Sequence, residues 1–149
     1  MSIKPQIAVI GLGKFGYKFG ITLLDLGYRV LGIDHQNDKI EISKNILTEV
    51  FKADATQKQA LEQMGLSDMT HILVSVGNSI SSSTMITMYL KELGVKNVWV
   101  KAIHKDHANL LSKVGADDVI IPEHLADEQL AYRIDMPGLV GKLSVGSDM

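Results

Sequence analysis

The chain of 149 residues contains no cysteine, which removes disulfide bonds, thiolate nucleophiles and cysteine-ligated metals from consideration. A cytoplasmic setting is the expectation. Nor is there an excess of charge of one sign. Fifteen basic and seventeen acidic residues are dispersed along the chain, for a net charge of −2, so the footprint of a nucleic-acid-binding protein is missing. Long hydrophobic runs are also lacking. The segment from Met69 to Leu90 carries no formal charge, but Ser75, Gly77, Asn78, Ser79, Ser81, Ser82 and Ser83 make its centre too polar for a membrane span. It reads instead as strand, turn and helix. No charged region followed by an apolar one precedes the first apolar run, so a leader peptide is not expected. Low-complexity stretches and tandem repeats are absent. At this length one domain is expected, with no space for a separate substrate domain.

What is present is an alternation of apolar runs and helical patterns, the signature of parallel strands joined by crossover helices. Strands are predicted at Gln6–Ile10, Arg29–Ile33, Glu49–Ala53, His71–Val76, Asn97–Ala102 and Val119–Ile121. Helices are predicted at Phe15–Leu26, Asp38–Asn45, Lys58–Met64, Ser82–Leu93 and His107–Val114, with a sixth at Leu125–Ile134 after Pro122. Gly27, Gly65, Gly94 and Gly115 stand where a helix would end in a left-handed residue. The apolar runs are nearly continuous, as in a sheet covered on both faces. The fold class is therefore α/β, a Rossmann-like doubly wound sheet of six parallel strands in the order 3-2-1-4-5-6. Residues 1–123 are assigned to a nucleotide-binding lobe, and residues 124–149 to a crossover helix and a linker toward a further lobe. Met64, Met69, Met85 and Met88 fall at core positions, and Phe15 and Phe19 pair one turn apart.

The strongest local signal is the run Ile7–Gly16, in which an apolar strand leads into Gly11, Gly13 and Gly16 and then a helix, with Asp34 ending the next strand. In this motif the first glycine makes the tight turn and the second lets the backbone approach a pyrophosphate. The third lets the helix sit close on the sheet. Unpaired N–H groups at the helix start then meet the phosphate, and the Asp34 carboxylate accepts from a ribose hydroxyl. An empty structural turn of the same shape is the alternative.

The strand ends supply the other candidates. Asp54, with Ala55 and Thr56, lies where a carboxylate can accept from an adenine amine; equally, Thr56 and Gln59 match a capping box opening the third helix. Val76, Gly77 and Asn78 offer close backbone approach, or simply a turn. Lys14 puts a flexible cation beside the phosphates and favours ATP or ADP, although lysines at helix starts commonly face solvent. Lys101 ends the fifth strand within reach of a phosphate. Glu123 follows the sixth and could join a metal-bridged phosphate, though an acid in a first helical turn is already explained by the helix dipole. His104 and His107 have zinc-compatible spacing without a third ligand, so solvated surface histidines are expected there and no metal site is assigned. Signatures of catalysis are missing: there is no Walker A loop, no G-x-S-x-G elbow, and no tyrosine followed four residues later by lysine.

Taken together, Gly11-Leu12-Gly13-Lys14-Phe15-Gly16, Asp34 with the adjacent His35, Ala53–Thr56, Val74–Gly77, Asn97–Ala102 and Gly115–Glu123 resemble the N-terminal lobe of a regulator of potassium conductance domain, also called TrkA-N. The chain resembles more closely the cytosolic regulatory subunits of bacterial Trk and Ktr potassium uptake systems. That resemblance implies a non-catalytic adenine-nucleotide sensor, with ATP or ADP favoured and NAD(H) or AMP as alternatives. It implies homo-oligomers from a dimer to a ring of eight, with the helix after the sixth strand crossing to a neighbouring lobe. It further implies attachment to the membrane through a potassium transporter partner. Many family members carry arginine where Lys14 stands, so here a point charge replaces a bidentate fork. An NAD-dependent oxidoreductase fragment and a purely structural oligomerisation lobe are the competing readings.

Overall fold

A computed structural model describes residues 6–77 and 79–135. Its elements follow in strict alternation: β1 (Gln6–Ile10), α1 (Lys14–Asp25), β2 (Arg29–Asp34), α2 (Asn37–Ser43), β3 (Glu49–Lys52), α3 (Lys58–Gln63), β4 (His71–Val74), α4 (Ile80–Glu92), β5 (Val98–Lys101), α5 (Lys105–Lys113), β6 (Asp118–Ile120) and α6 (Pro122–Asp135). The strands form one parallel sheet in the order β3-β2-β1-β4-β5-β6, the order expected of a Rossmann-like sheet. Strand order reverses between β1 and β4. Right-handed crossovers then send α1 and α2 to one face of the sheet and α3, α4 and α5 to the other.

Successive strand residues point to opposite faces, and the two cores divide accordingly. On one side Val9, Val30 and Leu73 meet Leu12 and Leu47, with Phe15, Phe19 and Leu23 of α1 packed over them. The other side gathers Ala8, Ile10, Leu31, Ile33, Ile72 and Val74 beneath Leu61, Ile86, Leu90 and Leu111. The Phe15 and Phe19 rings stack with centroids 6.4 Å apart. Met64 and Met69 pack against the larger core, whereas Met85 and Met88 are 36% and 40% exposed, contrary to their expected core positions. Both lie on the outer side of α4, a difference that apolar spacing alone does not reveal.

The expected helix ends hold: Gly27, Gly65, Gly94 and Gly115 all have positive φ. Helix starts are less well anticipated, because caps are polar and fall outside the apolar period. Ser79 caps α4 by accepting from the Ser82 N–H, and His104 caps α5 by accepting from the His107 N–H, so both helices begin two residues earlier than predicted. β4 ends at Val74 rather than Val76, where the chain turns through Gly77 at φ 63°.

Two features remain uncovered. α6 buries none of its residues, and it exposes Leu125, Leu130, Tyr132 and Ile134. Beside α1, over β4 and β5, a hollow of about 260 Å³ is lined by Phe19, Leu23, His71, Leu73 and Trp99.

Between α4 and α5, His107 is 2% exposed and joined to both its flanks. The Ile103 N–H donates to its Nδ1 at 3.0 Å, which leaves the proton on Nε2 and makes it a donor to Ser83 Oγ at 2.8 Å. His107 is thus a satisfied interior residue, not the solvated surface histidine expected from the sequence. Burial, followed by the nearby His104, pushes its pKa below the ordinary histidine value. A base whose folded pKa is depressed favours the fold while neutral. Its contribution is intact above the unfolded value, about 6.5, and is lost as pH falls below that toward the folded value. The melting temperature is therefore expected to drop between pH 7.5 and 5.5 by more in the wild type than in His107→Gln, as differential scanning calorimetry will read.

Candidate functional site

At the carboxyl ends of the strands, at the point where their order reverses, lies a cleft of about 590 Å³. This is where open α/β sheets bind ligands, because neighbouring connections leave in opposite directions and part the chain. Its floor is the glycine loop. Gly11 has φ +98° and its N–H donates to the Ile33 carbonyl at 2.8 Å, pinning the turn to β2. Gly13 is the N-cap of α1, with extended backbone, no side-chain cap bond and no atom within 4 Å of where a Cβ would stand. The start of α1 therefore presents unpaired N–H groups to open space.

Lys14 and Phe15 follow Gly13 along the cleft wall, Lys14 exposed. Leu12 and Gly16 serve the site from behind. The Leu12 side chain is 3% exposed in the core beneath α1, and only its backbone belongs to the loop. Gly16 is pressed against the Gly11 carbonyl, as its predicted packing role requires.

Asp34 ends β2 with its side chain 9% exposed. Its Oδ2 accepts from the Leu12 N–H at 2.8 Å and its Oδ1 from the Gln36 N–H at 2.9 Å, so it joins the glycine loop to the turn before α2. A carboxylate has about four acceptor positions, and two remain for a ribose. His35 stands beside it, its Nδ1 3.7 Å from Asp34 Oδ1 and its side chain 70% exposed on the cleft rim. Replacing Asp34 by Asn removes one acceptor and turns an NH2 toward a backbone N–H. With bonds to charged groups worth about 1.5–3 kcal/mol, the ligand-free melting temperature should fall by roughly 4–8 °C, as differential scanning fluorimetry will show.

Asp54, Ala55 and Thr56 form the wall beyond β3. The Thr56 hydroxyl and N–H both donate to Asp54 Oδ1, at 2.6 and 3.0 Å, and these bonds hold the Asp54 carboxyl below the usual carboxylate range. The capping box expected of Thr56 and Gln59 is not formed. Gln57 is the N-cap of α3 and makes no side-chain cap bond, because Thr56 is turned back onto Asp54 in a local loop that competes with helix capping.

Val76 and Gly77 bring the end of β4 to the cleft, and Lys101 brings the end of β5. Asn78 lies outside the described residues. Glu123 is exposed in the first turn of α6 and is not part of the wall. No group of three or more metal-ligating side chains occurs among the described residues.

The cleft also contains residues that the sequence reading passed over. Gln36 and Lys39 face it from the start of α2, and Ser75, Ser79 and Ser82 from the β4–α4 connection. For Ser79 a signal existed: a serine three residues before another, ahead of an apolar helix. For Lys39 there was none, because its direction depends on how α2 leans on β2. The electrostatic arrangement is asymmetric. Asp34 and Asp54 occupy the β2–β3 side with Lys39 beside them, while Lys14 and Lys101 stand at the loop and the β5 side; among the described residues, no salt bridge engages any of these three lysines.

Comparison with known proteins agrees with this architecture. The profile of the TrkA-N domain matches residues 7–122. Ktr system potassium uptake protein C of Bacillus subtilis is 36% identical over 132 residues, covering 89% of this chain and 60% of that protein. Ktr system potassium uptake protein A of the same organism is 36% identical over 140 residues, covering 88% and 63%. The chain thus spans roughly three-fifths of the length of these relatives. Among solved structures, the GsuK channel bound to NAD superposes with a TM-score of 0.70 at 14% identity, covering 78% of this chain and 21% of that one. The Kef C-terminal domain of Shewanella denitrificans in its AMP-bound form gives a TM-score of 0.69 at 19% identity, covering 96% and 93%. At such identities these two likenesses establish the fold alone.

Proposed function

Because the chain belongs to the TrkA-N domain family, we propose that it is a nucleotide-binding regulatory lobe that switches a membrane potassium transporter without breaking any bond in its ligand. The observation that carries this reading is the open start of α1 at Gly13, with unpaired N–H groups in a cleft that Lys14, Lys39, Lys101, Asp34 and Asp54 line. An adenine nucleotide fits that polarity. Its phosphates would lie on the α1 start toward Lys14 and Lys101, and its ribose and base toward Asp34 and Asp54. ADP and ATP are favoured over NAD(H) because a cation at each side of the phosphate position suits a chain that ends in phosphate. The Asp34 carboxylate opposes a 2′-phosphate and so disfavours NADP. The named Ktr relatives point to potassium uptake, and the NAD- and AMP-bound neighbours share the fold that holds such ligands.

Self-association belongs to the same proposal. A 14-residue helix with no buried residue is marginal in water by itself, so α6 calls for a partner surface. We assign that surface to a second copy, with the pair as the unit of a larger ring. A ligand then shifts ring shape only as far as it binds one shape better than the other.

The test is thermal stability with saturating ATP, ADP, AMP, NAD⁺ and NADH. Ligand at 100 times its Kd adds about 2.7 kcal/mol, or several degrees for a domain of this size. ATP and ADP are expected to give the largest shifts, and Lys14→Ala to weaken ATP about tenfold while changing AMP affinity little, consistent with a single charge–phosphate contact. A shift confined to NAD⁺ and NADH, with NADH turnover on carbonyl substrates, would replace this reading by a redox one. No shift with any of them would leave a structural lobe.

A further inference from the structure

We propose that His107, which lies outside the cleft, is a positioning residue for it: its neutral imidazole ties the α4 entrance turn to the chain leaving β5 and so sets the separation of two cleft walls. The inference rests on the reading of the cleft as a nucleotide site. One wall is Ser79 and Ser82, at the start of α4; the other is Lys101, two residues before Ile103. The His107 ring bridges them. Its Nδ1 takes the Ile103 N–H at 3.0 Å, and its Nε2–H reaches Ser83 Oγ at 2.8 Å.

The tie continues into the α4 turn. Ser83 Oγ donates to the Ser79 and Ile80 carbonyls at 3.0 and 3.1 Å, and Ser79 Oγ accepts from the Ser82 N–H at 3.1 Å while its hydroxyl donates to Ser82 Oγ at 2.9 Å. One ring therefore joins the Ile103 N–H to Ser83 Oγ, and Ser83 is bonded in turn to the Ser79 and Ile80 carbonyls of the α4 turn. An apolar side chain of similar size could fill the same space, but it would leave the Ile103 N–H without its acceptor and Ser83 Oγ without the donor that ties it to α5. The chemistry selects neutral imidazole, which offers one acceptor and one donor on opposite sides; imidazolium offers two donors and sets an N–H against the Ile103 N–H.

The ionisable surroundings are few. His104 on the same connection has its ring centroid 6.2 Å away, and Lys105 and Asp106 share the first turn of α5. Lys101 ends β5. α4 offers only hydroxyls, at Ser83 and Thr87, and carries no ionisable side chain before Tyr89. Among the described residues, no carboxylate is bonded to the ring to hold a proton on it.

The deciding experiment uses the whole chain as wild type, His107→Gln and His107→Leu. Amide hydrogen exchange is measured without ligand, and ATP affinity by calorimetry at pH 8.0 and 5.5. Glutamine can accept from Ile103 and donate to Ser83. It should keep affinity within about threefold at pH 8.0 and abolish the acid-induced weakening expected of the wild type. Leucine should speed exchange at Ile103 and Ser82 at least tenfold and weaken ATP about tenfold, the scale of one unpaired buried polar group. Wild-type exchange and affinity in His107→Leu would overturn the proposal, as would acid weakening that persists in His107→Gln. If His107→Leu does not fold, the pH comparison with His107→Gln decides. Faster exchange in His107→Leu, in a protein that binds no adenine nucleotide even as wild type, would uphold the tie and overturn the nucleotide reading alone.

Discussion

Gly16→Ala is expected to leave little folded protein, although helix propensity argues the other way. Alanine at an interior position of a helix is worth up to about 1 kcal/mol over glycine. Against that stands distance. A Cβ on Gly16 would lie 2.0 Å from the Gly11 carbonyl oxygen and 3.1 Å from Val9 Cγ1, and the first of these is backbone that cannot rotate away. To relieve it, α1 must lift from β1 by more than an ångström. That would open the contact of Phe15 and Phe19 with Val9, Val30 and Leu73. Overpacking of this kind costs roughly 1–3 kcal/mol where side chains can adjust, and more where only backbone can move. Gly11→Ala adds a second cause, since φ +98° is strained for any other residue and its Cβ would lie 2.0 Å from the Ser75 carbonyl. Against a total stability of about 5–15 kcal/mol, either change should lower the melting temperature by more than 10 °C or prevent soluble expression, as calorimetry and circular dichroism will show.

Gly13→Ala should behave in the opposite manner: normal stability, lost binding. Its φ of −71° and ψ of −169° are open to alanine, and nothing lies within 4 Å of the new methyl. Alanine is a poorer N-cap than glycine by some tenths of a kcal/mol, and it recovers about 0.4–1 kcal/mol by restricting the unfolded chain. The two nearly cancel, so the ligand-free melting temperature should move by less than about 2 °C. A phosphate seated on the start of α1, however, needs the space that the methyl takes. Loss of one or two charge-assisted bonds at about 1.5–3 kcal/mol each predicts at least a tenfold weakening of ATP by calorimetry. The pair of glycines therefore separates folding from recognition within one loop. Unchanged ATP affinity in Gly13→Ala would argue that the α1 start holds no phosphate.

Much of this was legible because it depends on local sequence order. The parallel sheet follows from alternation, its order from the dinucleotide-type glycine motif with Asp34 at the end of β2, and the glycines after α1, α3, α4 and α5 mark helix ends. The motif Gly11–Gly16 states its own geometry. What escaped was whatever depends on direction or on a distant partner. Leu12 sits in the motif, yet its side chain belongs to the core. Thr56 precedes a helix, yet its hydroxyl turns back to Asp54. His107 pairs with His104 by spacing, yet it is defined by Ser83, 24 positions away. Lys39 enters the cleft because the first turn of α2 stands beside the end of β2. Each of these is settled by tertiary packing, to which a linear pattern is blind.

The central position of β1 has a further consequence, for the time course of synthesis. β2 pairs one edge of β1 soon after it emerges, but the other edge waits for β4; the Thr70 hydroxyl and the Gln6 carbonyl, which close that seam, are 64 positions apart. At about 5–20 residues per second, the apolar face and open edge of β1 stay unpaired for roughly 3–13 s on every nascent chain. During that interval two growing chains on one message can each offer the other an unpaired strand edge. The strand that carries the glycine loop is thus also the element on which the yield of correctly folded protein turns.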